Sequence, residues 1–113
     1  MMSVWESFLN AAQILSSAGP IKHRLAAAYT SHLAGLHCDE MPREIRDEFM
    51  SLNSCLSAVE PLRGETTIQA SVRKMSDPEA ARHAQRIIDL MGAVIRLNMQ
   101  PRQPVLRAVS SNE

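Results

Sequence analysis

The apolar residues near the start of this chain cover too much of a helix to be hidden by one neighbour. At about 100° per residue, Val4, Trp5, Phe8, Leu9, Ala11, Ala12, Ile14, Leu15 and Ala18 spread over roughly 220° of a helical wheel, whereas a core-facing stripe needs about 100° or somewhat more. Such a helix has to be covered on two sides. A chain of 113 residues is the size of one domain with one core. The second covering surface is therefore expected to belong to another chain, and the protein is expected to be a homodimer.

Proline and glycine divide the rest. Ser3 and Glu6 have the spacing of a capping box, in which each side chain satisfies a backbone donor of the first turn, and helix 1 is expected from about Val4 to Ser17, ending at Gly19. Pro20 suits the first turn of a second helix, whose stripe is Ile21, Leu25, Tyr29, Leu33 and Leu36; His37 to Met41 reads as a loop. After Pro42, Ile45, Phe49, Leu52, Leu56 and Val59 alternate spacings of four and three, the mark of a helix lying lengthwise on a neighbour. Pro61 and Gly64 interrupt the chain before a short helix from about Glu65 to Lys74 carrying Ile68 and Val72. A second capping box, Ser76 with Glu79, opens a long helix from Asp77 to about Asn98. Its apolar set, which includes Ala80, Ala81, Ala84, Ile87, Ile88, Leu90, Met91, Val94 and Ile95, again covers about 200°. The expected fold is an all-α bundle of about five helices, with one domain over 1–98 and a flexible tail over 99–113.

Composition excludes several functions. Hydrophobic residues make up 45% and charged residues 21%, ordinary globular values. The longest uncharged stretch, Ser7 to Ile21, contains Asn10, Gln13, Ser16, Ser17, Gly19 and Pro20, too short and too polar to cross a bilayer. Glu6 and the absence of a basic opening do not fit a secretory leader, so a cytoplasmic location with reduced Cys38 and Cys55 is expected. Formal net charge is zero, yet residues 1–60 carry −3 and residues 61–113 carry +3, which favours pairing within the fold or between subunits. A pI near 6.9 argues against broad nucleic-acid affinity.

Chemistry-bearing residues are present but not in chemistry-bearing patterns. His37-Cys38-Asp39-Glu40, with His32 upstream, lacks CxxC, HxxxH or HExxH spacing, and His32 and His37 point about 140° apart on a helix. Glu79 and His83 lie one turn apart and can share a metal in principle, although the capping box already accounts for Glu79. These two sets define the alternative reading, a metal-dependent or small-molecule enzyme. No GxSxG elbow, P-loop or dinucleotide fingerprint occurs, so no catalytic, cofactor or metal residue is assigned. A third reading, weak nucleic-acid binding, uses Arg73, Lys74, Arg82, Arg86 and Arg96; Asp89 shares the polar side of that helix, and four aromatic residues on apolar faces offer little for base stacking.

The segments Ile21-Lys22-His23-Arg24-Leu25, Pro61-Leu62-Arg63-Gly64-Glu65 and Ser71-Val72-Arg73-Lys74-Met75-Ser76 resemble stretches of small helical proteins of proteobacteria that have no assigned activity. The resemblance spans most of residues 4–97 and implies a bacterial origin; it carries no functional residue. The expectation that follows from the residues is a cytoplasmic protein-interaction module, self-associating and acting as an adaptor or inhibitor that covers a partner protein's surface, such as that of a transcription regulator. Trp5, Phe8, Leu9, Ala12, Met91 and Ile95 are its expected contact residues. The seven methionines, among them Met50 off the helix 3 seam, add adaptable apolar surface.

Overall fold

Five α-helices and two single turns of tighter or wider helix make up a computed structural model that describes residues 3–99. The helices are α1 (Val4–Leu15), α2 (Ile21–Ala28), α3 (Arg43–Leu56), α4 (Thr67–Lys74) and α5 (Asp77–Met99). The described part is an all-α bundle, as the helical periodicities require. The expected tail, apart from Met99 at the end of α5, lies outside the described residues.

Local signals place the helix ends. Ser3 Oγ accepts from the backbone N–H of Glu6, while Glu6 Oε1 accepts from that of Ser3 at 2.9 Å. Ser76 and Glu79 repeat this arrangement at α5, each backbone N–H donating at 3.1 Å to the other's side chain. A third box, Thr66 with Gln69, starts α4 two residues later than the Glu65 expected from periodicity. Pro20 and Pro42 sit one position earlier than expected, as N-caps of α2 and α3, where each carbonyl accepts the first intrahelical bonds. Gly19, at φ +114°, makes the reversal after α1 that a side-chain-bearing residue resists.

The second helix departs most from its expected course. It does not continue to Leu36; after Ala28 it widens into a π turn, Tyr29–Leu33, closed by Ala34 N–H donating to the Tyr29 carbonyl at 2.8 Å. The wider turn keeps Leu33 in the core with Leu25 and Ala28. It also lets Tyr29 Oη donate to Asn53 Oδ1 of α3 at 2.8 Å. A 3-10 turn over Cys38–Glu40 follows, then α3, whose seam Ile45, Phe49, Leu52 and Leu56 is wholly buried. Val59 lies beyond the end of α3, its N–H donating to the buried Ser71 Oγ at 3.3 Å.

The long α5 is the hub, packing against α1, α2 and α3, while α4 closes the bundle against α2 and α3. It buries Ala80, Ala84, Ile87, Leu90 and Val94. Phe8 of α1 and Phe49 of α3 meet edge to face beneath it, ring centroids 6.0 Å apart and planes at 74°, a geometry that the ring quadrupoles favour. Among the described residues no helix is long and apolar enough to cross a membrane.

Candidate interaction face on helices α1 and α5

Helices α1 and α5 pack side by side and antiparallel. Trp5, at the start of α1, lines a hollow with Ile95, Asn98 and Met99 at the end of α5. Ala12, Leu15 and Ser16, at the other end of α1, share a second hollow with Arg24 of α2 and with Ala81, Gln85 and Ile88 near the start of α5. The two hollows, of about 330 and 310 Å³, thus mark opposite ends of one helix pair.

Between them runs a largely apolar surface, interrupted by Gln85 and by the Arg96 guanidinium, whose Nη1 lies 3.4 Å from where a Gly92 Cβ would stand. On α1 it is made by Trp5, Leu9, Ala12 and Ser16, which recur at spacings of three and four on the flank of the buried stripe. Ala81, Gln85, Ile88, Gly92, Ile95 and Met99 do the same on α5. Trp5 is 37% exposed and Met99 77%. Leu9, Ala12, Ile88, Met91, Gly92 and Ile95 are half-buried, and Ala81 is exposed. Charged residues border it: Glu6 on α1 and Arg82, Asp89 and Arg96 on α5, all exposed, and Arg24 of α2, half-buried at the second hollow.

Five of the six expected contact residues therefore retain exposure along this pair. Phe8 does not. It is fully buried against Phe49, because three residues after Trp5 the helix has turned by about 300°, from the flank into the bundle. Phe8 is a core residue and leaves the docking face. Ala81, Ile88 and Met99 join the face, and the seven-residue step between Ala81, Ile88 and Ile95 was a usable signal for them. Gly92 is the residue that apolar patterning overlooks, since glycine carries no side chain to count.

The residues of the alternative readings do not assemble. Among the described residues no group of three or more His, Cys, Asp or Glu is placed to hold a metal ion. His32 is half-buried in the π turn, while His37 is exposed at the head of the 3-10 turn, its N–H donating to Glu40 Oε1. Cys38 and Cys55 are both free thiols. Glu79 caps α5, and His83 turns instead toward Arg86, whose Nη1 lies 3.5 Å from its Nδ1. Partial burial first, then the Arg86 guanidinium, hold the His83 imidazole below its ordinary pKa.

The basic residues are similarly committed. Arg86 joins α5 to α3: its guanidinium donates to Glu48 Oε2 at 2.8 Å, Ser51 Oγ at 2.9 Å and Cys55 Sγ at 3.7 Å. This ion pair links the acidic first half of the chain to the basic second half. Arg73 donates twice to Glu65, at 2.8 and 3.1 Å, and that pairing holds the Glu65 carboxyl below the usual carboxylate range. A larger depression, about 570 Å³, opens between α2 and α4 beside Lys22, His23 and Arg73. Its lysine donates to the Met75 carbonyl at 3.0 Å. Lys22 and Arg73, the cations beside this depression, are thus already engaged, and the rest of its lining, with Ala26, Ala27 and Val72, is mostly apolar.

Comparison with family models, with curated proteins and with solved structures finds no match. The geometry of the chain itself carries the functional argument.

Proposed function

We propose that this protein is a cytoplasmic interaction module, an adaptor or inhibitor that works as a homodimer by covering an apolar surface on another protein, such as a transcription regulator. The observation that carries the reading is the largely apolar face shared by α1 and α5, with Trp5 exposed at one end. Apolar surface in contact with water costs free energy in proportion to its area, and contiguous patches rimmed by charge mark interaction sites more often than scattered single residues do. Trp5 is the anchor: a large ring with little rotamer entropy to lose, of the type that dominates interface energetics. Recognition follows the helix-in-groove mode, two antiparallel helices presenting a shallow groove with a hollow at each end.

The test is capture of a partner from the native host by tagged wild type and by two variants that place a charge on different exposed surfaces. Ala81→Arg puts it on the α1/α5 face, and Met50→Arg puts it on α3, where Met50 is 51% exposed. A protein retained by wild type and Met50→Arg and lost with Ala81→Arg is the expected result. Equal retention by all three, or loss confined to Met50→Arg, moves the working surface away from α1 and α5.

A further inference from the structure

We infer that the depression between α2 and α4 binds a small organic carboxylate, with its apolar body over Ala26, Ala27 and Val72 and its charged end at Lys22. This is a different surface from the α1/α5 face, and the inference does not depend on that face.

Size and floor supply the first argument. At about 570 Å³ the depression is larger than either hollow of the α1/α5 pair, and it falls within the roughly 300–1,000 Å³ that small-molecule sites occupy. Pro20, Ala26, Ala27 and Val72 give it an apolar floor. Ala27 is exposed and Ala26 half-buried, so short side chains keep the space along α2 open. From Pro20 to Ser31 it follows the chain for about 16 Å at 1.5 Å per residue, far more than a bare inorganic anion fills. Thr30 and Ser31 of the π turn bound its far end, and π turns within helices are frequent at functional sites.

Hydrogen-bond chemistry supplies the second. Each polar side chain around the depression, Lys22, His23, Thr30, Ser31, Gln69 and Arg73, is able to donate, and none of the described residues lining it is a carboxylate. Gln69 Oε1 already accepts from the Thr66 N–H, which leaves its amide NH₂ to offer. Arg73 reaches Glu65 through Nε and Nη2, so Nη1 stands outside that pair.

Charge supplies the third. The Lys22 ammonium donates to the Arg73 and Met75 carbonyls at 3.5 and 3.0 Å. Those partners are neutral: they orient the ammonium without cancelling its charge, and one of its three N–H groups remains. Neither ion pair of the described chain includes Lys22. One uncompensated cation at the end of a donor-lined, apolar-floored depression matches a molecule with a single negative charge and an apolar body. A cation of the same shape finds no acceptor of opposite charge there.

The test is titration of the purified full chain with octanoate, octylammonium and inorganic phosphate, followed by amide NMR. Octanoate is expected to shift the amides of residues 22–31 and 69–73 saturably, and the other two to bind about tenfold more weakly or not at all. Lys22→Gln is expected to weaken octanoate binding about tenfold. Because that variant also loses bonds to the end of α4, Ala27→Glu provides a second probe: it sets a carboxylate at an exposed position of the floor and is expected to abolish binding with the helical circular dichroism unchanged. Ala81→Arg, on the other face, is expected to bind octanoate as wild type does. No saturable shift, equal binding of octylammonium or phosphate, or octanoate binding that survives Ala27→Glu overturns the inference. Shifts confined to α1 and α5, or binding lost with Ala81→Arg, place the acid on the other face and overturn it as well.

Discussion

Gly92→Ala tests whether the chain needs the glycine in the interior of α5. Within one chain the added methyl meets only the end of the Arg96 side chain at 3.4 Å, a flexible group free to move aside. The substitution then acts mainly by restricting the unfolded backbone, and alanine is favoured over glycine in a helix interior by about 0.8–1.0 kcal/mol. For a domain of this size about 1 kcal/mol corresponds to roughly 4–8 °C in Tm. Thermal melts of dilute protein by circular dichroism are therefore expected to show Gly92→Ala melting above wild type by roughly 4–8 °C. A dilute variant that melts at or below wild type refutes the reasoning, because the glycine would then be needed by the chain itself.

The core and the histidine give two further expectations. Phe49→Ala empties a fully buried site in contact with Phe8 and is expected to cost about 3–5 kcal/mol, a large part of the roughly 5–15 kcal/mol typical of a domain; urea melts of Phe8→Leu, Phe49→Leu and their double variant should give a coupling of about 0.5–1.5 kcal/mol, and a coupling of zero would contradict the edge-to-face contact. His83 is depressed by burial and by Arg86, so as pH falls through about 6.5 the unfolded chain takes up a proton before the folded one does. Stability should decline with acidification from that point until the folded His83 also protonates. His83→Gln should flatten that part of the profile, measured by urea melts between neutral and mildly acidic pH, and an unchanged slope would show that His83 is not its source.

Much of the fold was legible because its signals are local. Ser3 with Glu6 and Ser76 with Glu79 close the same reciprocal hydrogen bonds wherever a helix begins, and Ile45, Phe49, Leu52 and Leu56 share one side of a helix by spacing alone. The excess apolar arc on α1 and α5 was legible in the same way, and it pointed to the helices that carry the candidate face. The π turn at Tyr29 was not, since its wider winding is tied to Leu33 in the core and to Asn53 on α3, partners that no local spacing reveals.

The sequence by itself determined that this chain is helical, where most of its helices start, and that two of them carry more apolar circumference than one packing contact can cover. Only the tertiary structure decided which part of that circumference stays uncovered. Trp5 and Phe8 are both large, apolar and one turn apart, and a wheel ranks them alike; packing against α3 and α5 takes Phe8 inside and leaves Trp5 at the surface. The antiparallel seating of α1 on α5 likewise brings Trp5 beside Met99 and Ala12 beside Ala81. Periodicity reports the angle of a side chain about its own helix axis, whereas exposure depends on where every other helix comes to rest.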